Sequence, residues 1–151
     1  MTWKNSVTLQ TLLLLIGCST IHYIPNTVKI STTEAKEIVK QVIQEQPNEL
    51  APIKVEVTDQ YFKLHIMKTN HMDGYTIPWT KLVCFNDIGK IRIKQKWRWS
   101  KKWFVISIMD KNKNVKCTIY TAQENKATSF VDAFHVLITN TVSENAMTSF
   151  K

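Results

Sequence analysis

Apolar and polar residues follow two different periods along this chain, and the first is helical. Apolar residues between positions 32 and 46 recur three and four apart on one helical face: Ala35, Ile38, Val39, Val42 and Ile43. Ser31 and Glu34 have the spacing of a capping box, in which each side chain bonds a free backbone amide of the first turn. Pro47 ends the run. The pattern predicts an amphipathic helix that packs on a sheet.

From residue 53 onward the period falls to two, which is typical of half-buried strands. Residues 53 to 57 alternate apolar with polar, and residues 62 to 66 do so again after a tight connection, so the two runs form a hairpin. Further short strands are predicted at residues 75 to 79, 82 to 85, 88 to 94, 103 to 109 and 115 to 121. Pro78 marks the first of these as an edge strand or a bend.

The last predicted element is a second helix, with a capping box at residues 121 to 124. Its apolar stripe consists of Ala127, Phe130, Val131, Phe134, Leu137 and Ile138. Residues 141 to 151 are polar and predict a flexible tail. The order helix, six or seven short strands, helix predicts an α+β fold, in which the C-terminal helix closes a strongly bent antiparallel sheet or partial barrel.

Four stretches carry a family resemblance over residues 53 to 140. They are Ile77 to Lys81, Trp103 to Asp110, the strand at 115 to 121, and Ser129 to Phe134. In this order they resemble the pleckstrin-homology-like domains of bacteria, which implies a bent sheet with a helix plugging one end. The helix at 32 to 46 is additional to that core. A helix before a sheet is also similar to cystatin-like and nuclear-transport-factor-like folds, which are the alternative.

The amino terminus has the layout of a secretory signal. Lys4 precedes an apolar run at residues 7 to 16, shorter than the roughly 20 apolar residues that span a bilayer. The run ends in Leu15-Ile16-Gly17-Cys18, which resembles the lipobox of bacterial lipoproteins. The resemblance implies cleavage just before Cys18 and attachment of a diacylglyceryl group to its thiol, so that acyl chains such as palmitate anchor the mature chain. A cleaved signal without lipidation and a buried N-terminal helix are the alternatives.

These patterns divide the chain into four parts. They are a signal peptide at residues 1–17, a lipidated tether at 18–31, the helix with the pleckstrin-homology-like domain at 32–140, and the flexible tail at 141–151. The expected location is the cell envelope, where the N-terminal lipid holds the protein to a membrane. Ser19 after the cysteine implies the outer membrane if the organism is Gram-negative.

The charge of the chain favours anionic surfaces. It carries 20 Lys and Arg against 12 Asp and Glu, a formal net charge of +8. Such a balance suits acidic phospholipid, phosphorylated glycans or nucleic acid. The inferred export argues against nucleic acid, so the expected partners are the membrane itself, an anionic lipid or glycan, and another envelope protein.

Two cysteines remain in the predicted mature domain, Cys84 and Cys117. An oxidising compartment would permit a disulfide between them. Two separate thiols on strands are the other interpretation, because cysteine packs well as a small apolar residue. Their spacing in the sequence does not decide between the two, since a bridge requires Cα atoms within about 7 Å.

The segment from Lys90 to Trp103 is the strongest candidate for function. Seven of its fourteen residues are Lys or Arg and three are Trp. The candidate contacts for an anionic surface are Lys90, Arg92, Lys94, Lys96, Trp97, Arg98, Trp99, Lys101 and Lys102. Cations near an anionic bilayer contribute about 1 kcal/mol each, and Trp favours the headgroup level. The competing interpretation is structural: the tryptophans pack across strands, and the lysines protect a strand edge from aggregation.

No catalytic or metal-binding constellation is present in the sequence. The four histidines lack ligand spacing, and three glycines leave no phosphate-binding loop. We therefore expect no cofactor, no metal and no enzymatic activity. The expected function is that of a lipid-anchored envelope protein with a binding domain, and the alternative is a protein–protein interaction scaffold at the envelope.

Overall fold

The computed structural model describes residues 19–26, 30–47, 50–69, 74–98 and 100–148. The predicted signal peptide, Cys18 and Trp99 lie outside the described residues, as does the side chain of Arg98. The elements in chain order are β1 (Ser19–Ile21), α1 (Thr32–Gln44), β2 (Lys54–Val57), β3 (Tyr61–Thr69), β4 (Thr76–Cys84), a 3₁₀ turn (Phe85–Asp87), β5 (Ile88–Arg98), β6 (Lys101–Asp110), β7 (Val115–Thr121) and α2 (Glu124–Thr148).

The seven strands form two antiparallel sheets. One has the order β1-β5-β6-β7 and the other the order β2-β3-β4. With α1 before the long strands and α2 after them, this confirms the predicted α+β class with its N-terminal and C-terminal helices. Among the described residues the strands do not close into a barrel.

Several strand boundaries differ from the sequence prediction. The two short strands expected at 75 to 79 and 82 to 85 are one continuous strand, β4. Pro78 is tolerated within it because β4 lies at the edge of its sheet and needs no donor on its outer side. Strand β5 continues past the expected end at Lys94 to Arg98, because β6 pairs with it over its whole length.

Helix α1 begins as its sequence predicts and ends in a contact with the sheet. The Ser31 side chain accepts a hydrogen bond from the Glu34 amide at 3.2 Å. Just beyond the helix, the buried side chain of Gln46 pairs with the backbone of Tyr120 in β7. Its Nε2 donates to the Tyr120 carbonyl at 2.9 Å, and its Oε1 accepts from the Tyr120 amide at 2.8 Å. The amide of Gln46 therefore occupies the place that one residue of a neighbouring strand would take on the free edge of β7.

The core lies between the two helices and the inner faces of both sheets. Its centre is aromatic: Phe134 of α2 contacts Phe85 and Phe62 edge to face, with ring centroids 5.2 Å and 5.8 Å apart. Phe130 stacks on Phe134 at 5.4 Å. One helical residue thus joins β3 to the turn that precedes β5.

Helix α2 extends into the region predicted as a flexible tail. It runs to Thr148 instead of ending near residue 140. Thr141, which is 2% exposed, donates hydrogen bonds to the carbonyls of Asp59 and Leu137. This contact holds the helix against the β2–β3 turn at the position where the flexible tail was predicted to begin.

The predicted tether also differs from the structure, because its first part is folded onto the domain. Residues Ser19 to Ile21 form β1, which pairs with β5 at the edge of the four-stranded sheet. Ile21 and Tyr23 pack against the core. The Tyr23 hydroxyl hydrogen-bonds to both carboxylate oxygens of Asp132 in α2, at 2.9 Å and 2.8 Å. The two β-branched residues of β1 suit a strand, and the segment therefore follows the domain surface.

Candidate anionic-surface site

The candidate basic segment forms the hairpin of β5 and β6. Arg98 pairs with Lys101 at its tip, Trp97 with Lys102, and Lys96 with Trp103. Ser100 in the turn has a φ of 58°, the left-handed conformation that tight turns require. The hairpin is continuous from Ile88 to Asp110 except for one irregularity between Ile88 and Lys90.

Alternation along the hairpin sorts its cations by face. The side opposite the core carries Lys90, Arg92, Lys94 and Lys96 from β5 and Lys101 from β6, which together we call the basic face. Side chains two residues apart on a strand are about 6.6 Å apart, so the row on β5 spans roughly 20 Å. The backbone of Arg98 continues this row to the tip.

The cations of the basic face have no acidic partner among the described residues. The Lys–carboxylate ion pairs of the described residues all involve lysines outside the basic face. They join Lys36 to Asp59, Lys54 to Glu56, Lys116 to Asp110 and Lys126 to Glu45. Two like charges about 7 Å apart in water repel by about 0.6 kcal/mol before salt screening. A row of such charges attracts an external anion, because no internal carboxylate neutralises it.

The stems of these cations have a packing role as well. Val105 and Met109 lie on the same outer face and are only 4% and 9% exposed, although both lie outside the core cluster. Val105 is flanked across the strands by Lys94 and Tyr120, whose side chains are half-buried. The hydrocarbon stem covers apolar surface while the ammonium group reaches solvent. The structural and binding interpretations of this segment are therefore compatible.

The remaining members of the predicted cluster lie on the other face of the hairpin, except Trp99 and the Arg98 side chain, which are outside the described residues. Trp97 is 64% exposed and pairs with Lys102, on the side that faces the core farther down the sheet. Lys102 lies over the ring of Phe104, with Nζ 5.0 Å from the ring centroid. Half-buried Trp103 lies opposite Lys96, on the outer face. The single patch expected from the sequence is thus divided between two faces.

The two cysteines are free thiols in the structure. Cys84 is half-buried at the end of β4, and Cys117 is buried in β7, so they belong to different sheets. Burial raises the pKa of the Cys117 thiol, and the nearby Lys81 ammonium offsets part of that rise. The disulfide considered from the sequence is not formed, and the arrangement is that of two separate thiols.

A cleft between the two sheets was not expected from the sequence. It has a volume of about 270 Å³ and lies between β3 and β4 on one side and β7 on the other. Ile43, Leu64 and Ile119 form part of its lining, with Trp79 and Lys81 from β4. The sequence signal for this cleft was the group of apolar residues in β4. Their alternation predicted a strand but did not predict that it lines a cleft.

No described helix is long and apolar enough to cross a membrane. The described residues also contain no group of three His, Cys, Asp or Glu side chains arranged to hold a metal ion. Comparison of the chain with protein families, with curated proteins and with solved structures gives no match.

Proposed function

We propose that this chain is a lipid-anchored protein of the cell envelope, with a non-catalytic domain whose basic face binds an anionic, phosphate-bearing lipid or glycan. The observation that supports the proposal is the row of five cations on one sheet face. None of them has a carboxylate partner among the described residues. A flat row of cations about 20 Å long matches an extended anionic surface better than a single small ligand.

The basic face alone gives weak binding. Five cations at about 1 kcal/mol each supply about 5 kcal/mol, a dissociation constant of roughly a few hundred micromolar. Acyl chains on Cys18 would contribute about 0.8 kcal/mol for each buried methylene. The lipid therefore provides attachment, and the basic face provides a salt-sensitive contact with whatever anion is nearby.

Vesicle binding by a chain that begins at Ser19 tests the basic face, because every described element lies within it. The test variant combines Arg92→Gln, Lys94→Gln, Lys96→Gln and Lys101→Gln, which keep two methylenes of each stem, including that of Lys94 opposite Val105. The matched control combines Lys40→Gln, Lys63→Gln, Lys68→Gln and Lys111→Gln, with the same change in net charge. Vesicles contain phosphatidylglycerol and phosphatidylcholine at low salt.

The test variant should lose roughly a hundredfold or more in affinity for these vesicles, and the control less than about fivefold. Equal losses would mean that net charge alone drives binding. Unchanged binding in the test variant would refute the proposal.

The lipid anchor is tested separately by mass spectrometry of the membrane fraction. Wild-type protein should begin at Cys18 with attached acyl mass, and Cys18→Ser should block that cleavage and modification. Intact processing and full membrane retention of Cys18→Ser would refute this part of the proposal.

The second candidate function is an interaction scaffold, which the cleft between the sheets favours. Strands β4 and β7 are both edge strands and present backbone groups without a strand partner. Thr118 lies two residues before Tyr120, so its backbone points to the same open edge, where an extended peptide could add a strand. A photo-crosslinker at Thr118 should then capture one specific partner at high salt, while the same group at exposed Ser129 should not.

A further inference from the structure

The register of β1 fixes where the N-terminal end of the described chain meets the sheet. Ser19 pairs with Gln95, Thr20 with Lys94 and Ile21 with Ile93. Because the pairing is antiparallel, the Ser19 end of β1 lies on the side of the hairpin tip. Paired Cα atoms are about 5.5 Å apart, so the covalent link between Ser19 and Cys18 starts beside Gln95.

A second contact holds the same segment to the helical side of the domain. The Tyr23 hydroxyl and the Asn26 amide both donate to the Asp132 carboxylate, the latter at 2.8 Å. Ile21, the last residue of β1, packs against the core. Residues 19–26 are therefore held at one end by β5 and at the other by α2.

This arrangement differs from a free tether in its consequence for orientation. A flexible linker of 13 residues has a root-mean-square length of about 20 Å and would leave the domain free to turn. With residues 19–26 held on the domain, Ser19, to which Cys18 is covalently joined, lies beside Gln95. Lys94 and Lys96 flank that position and lie within about one to two Debye lengths of it.

We propose that residues 19–26 act as a clasp, which keeps lipidated Cys18 beside β5 so that the basic face binds phosphate headgroups of the same leaflet that holds the acyl chains. This inference rests on the proposed function and names the partner: anionic lipid of the anchoring membrane, in preference to a glycan or an opposing surface. The contact becomes intramolecular, with an effective concentration in the millimolar range, above the weak dissociation constant of the basic face. A contact too weak to recruit the protein is strong enough to orient it.

The test uses the lipidated full-length product purified from membranes and reconstituted into vesicles. A membrane-impermeant acetylating reagent modifies exposed lysines, and mass spectrometry gives the rate at each one. Lys40 and Lys68, away from the basic face, are internal controls. The comparison variant carries twelve Gly and Ser residues inserted between Cys18 and Ser19, which lengthens the anchor without altering the clasp contacts.

In vesicles containing phosphatidylglycerol, Lys94 and Lys96 of the wild type should react at least about fivefold more slowly than in detergent, relative to the controls. In 0.5 M NaCl the wild type should keep at least half of this protection, because the clasp holds the lysines near the surface. The insertion variant should lose it, because only screened charge attraction remains.

The alternative outcomes separate the clasp from the proposed function. If salt removes protection equally from both proteins while the chain beginning at Ser19 still binds anionic vesicles, the clasp is refuted and the proposed function stands. If wild-type protection is the same in pure phosphatidylcholine and the chain beginning at Ser19 does not bind, the clasp holds the domain at the membrane but anionic headgroups are not its ligand. If no lysine is protected in any vesicle, the contact with the anchoring leaflet is refuted.

Discussion

The hairpins β3–β4 and β5–β6 have similar lengths but present different surfaces. Toward its open end, β3–β4 exposes apolar side chains, with Ile77 59% and Trp79 47% exposed. The β5–β6 hairpin exposes a row of cations along its outer face. The β5–β6 hairpin lies next to β1, whereas the β3–β4 hairpin ends its sheet with the free edge of β4. The same secondary structure thus presents a row of cations in one case and exposed apolar side chains in the other.

The largest expected effect comes from the residue that joins the two hairpins. Phe134→Ala removes the ring that contacts Phe62 of β3 and Phe85 before β5. We expect a loss of about 3–5 kcal/mol in the free energy of unfolding, because the cavity lies at the centre of the core. Urea denaturation monitored by far-ultraviolet circular dichroism measures this. A loss below about 1 kcal/mol would mean that the hairpins are stabilised independently of α2.

A pair of glycine substitutions compares the hairpins one at a time. A Cβ on Gly89, at the start of β5, would lie 2.7 Å from the Cα of Lys111 and 2.9 Å from the Asp110 carbonyl oxygen. Since both are backbone atoms, Gly89→Ala should cost about 1–3 kcal/mol. Gly74, before β4, has open space around it but a φ of +68°, so Gly74→Ala should cost about 1 kcal/mol through backbone strain alone. Thermal unfolding of both variants tests whether Gly89→Ala is the more destabilising. A greater loss of stability in Gly74→Ala would contradict the prediction.

The smallest expected effect concerns the clasp, residues 19–26. Its strand β1 pairs with the edge of β5, whereas the corresponding edge of β4 has no neighbouring strand among the described residues. Burial, and then the hydrogen bond to Asp132, raise the pKa of Tyr23 above its usual 10.0. The neutral hydroxyl is the donor, so its stabilisation is complete below pH 10 and is lost as the pH rises through the higher folded-state pKa. At pH 7, Tyr23→Phe should cost about 0.5–1.5 kcal/mol.

The difference in the free energy of unfolding between wild type and Tyr23→Phe should shrink when the pH exceeds 10. Parallel urea titrations of the two proteins measure it, and Tyr75→Phe, at an exposed position, is the matched control. A difference that grows with alkaline pH would show that the hydroxyl does not stabilise the fold as a donor.

Local patterns in the sequence predicted the helices, most strands and the fold class. The spacing of Val39, Val42 and Ile43 places all three in the core, and Ser31 caps α1 as expected. These features succeed because residues close in the chain determine them. The alternation through residue 98 also separates Trp97 from Lys96 onto opposite faces, but the predicted strand ended at Lys94 and so did not include them.

The features that escaped prediction depend on residues distant in the chain. The separation into two sheets, the pairing of β1 with β5 and the bond between Tyr23 and Asp132 join positions up to 109 residues apart. A three-residue strand has too little periodicity to stand out from a polar linker. The contact of α2 with the β2–β3 turn likewise joins distant residues, Thr141 and Asp59.

The pairing of Gln46 with Tyr120 has a consequence for neighbouring copies. Exposed strand edges offer a template for pairing with the strands of another molecule. The side-chain amide already fills the ladder position at Tyr120, so sheets from two molecules cannot join there without first displacing it. A single glutamine thus blocks strand addition at one position of the β7 edge.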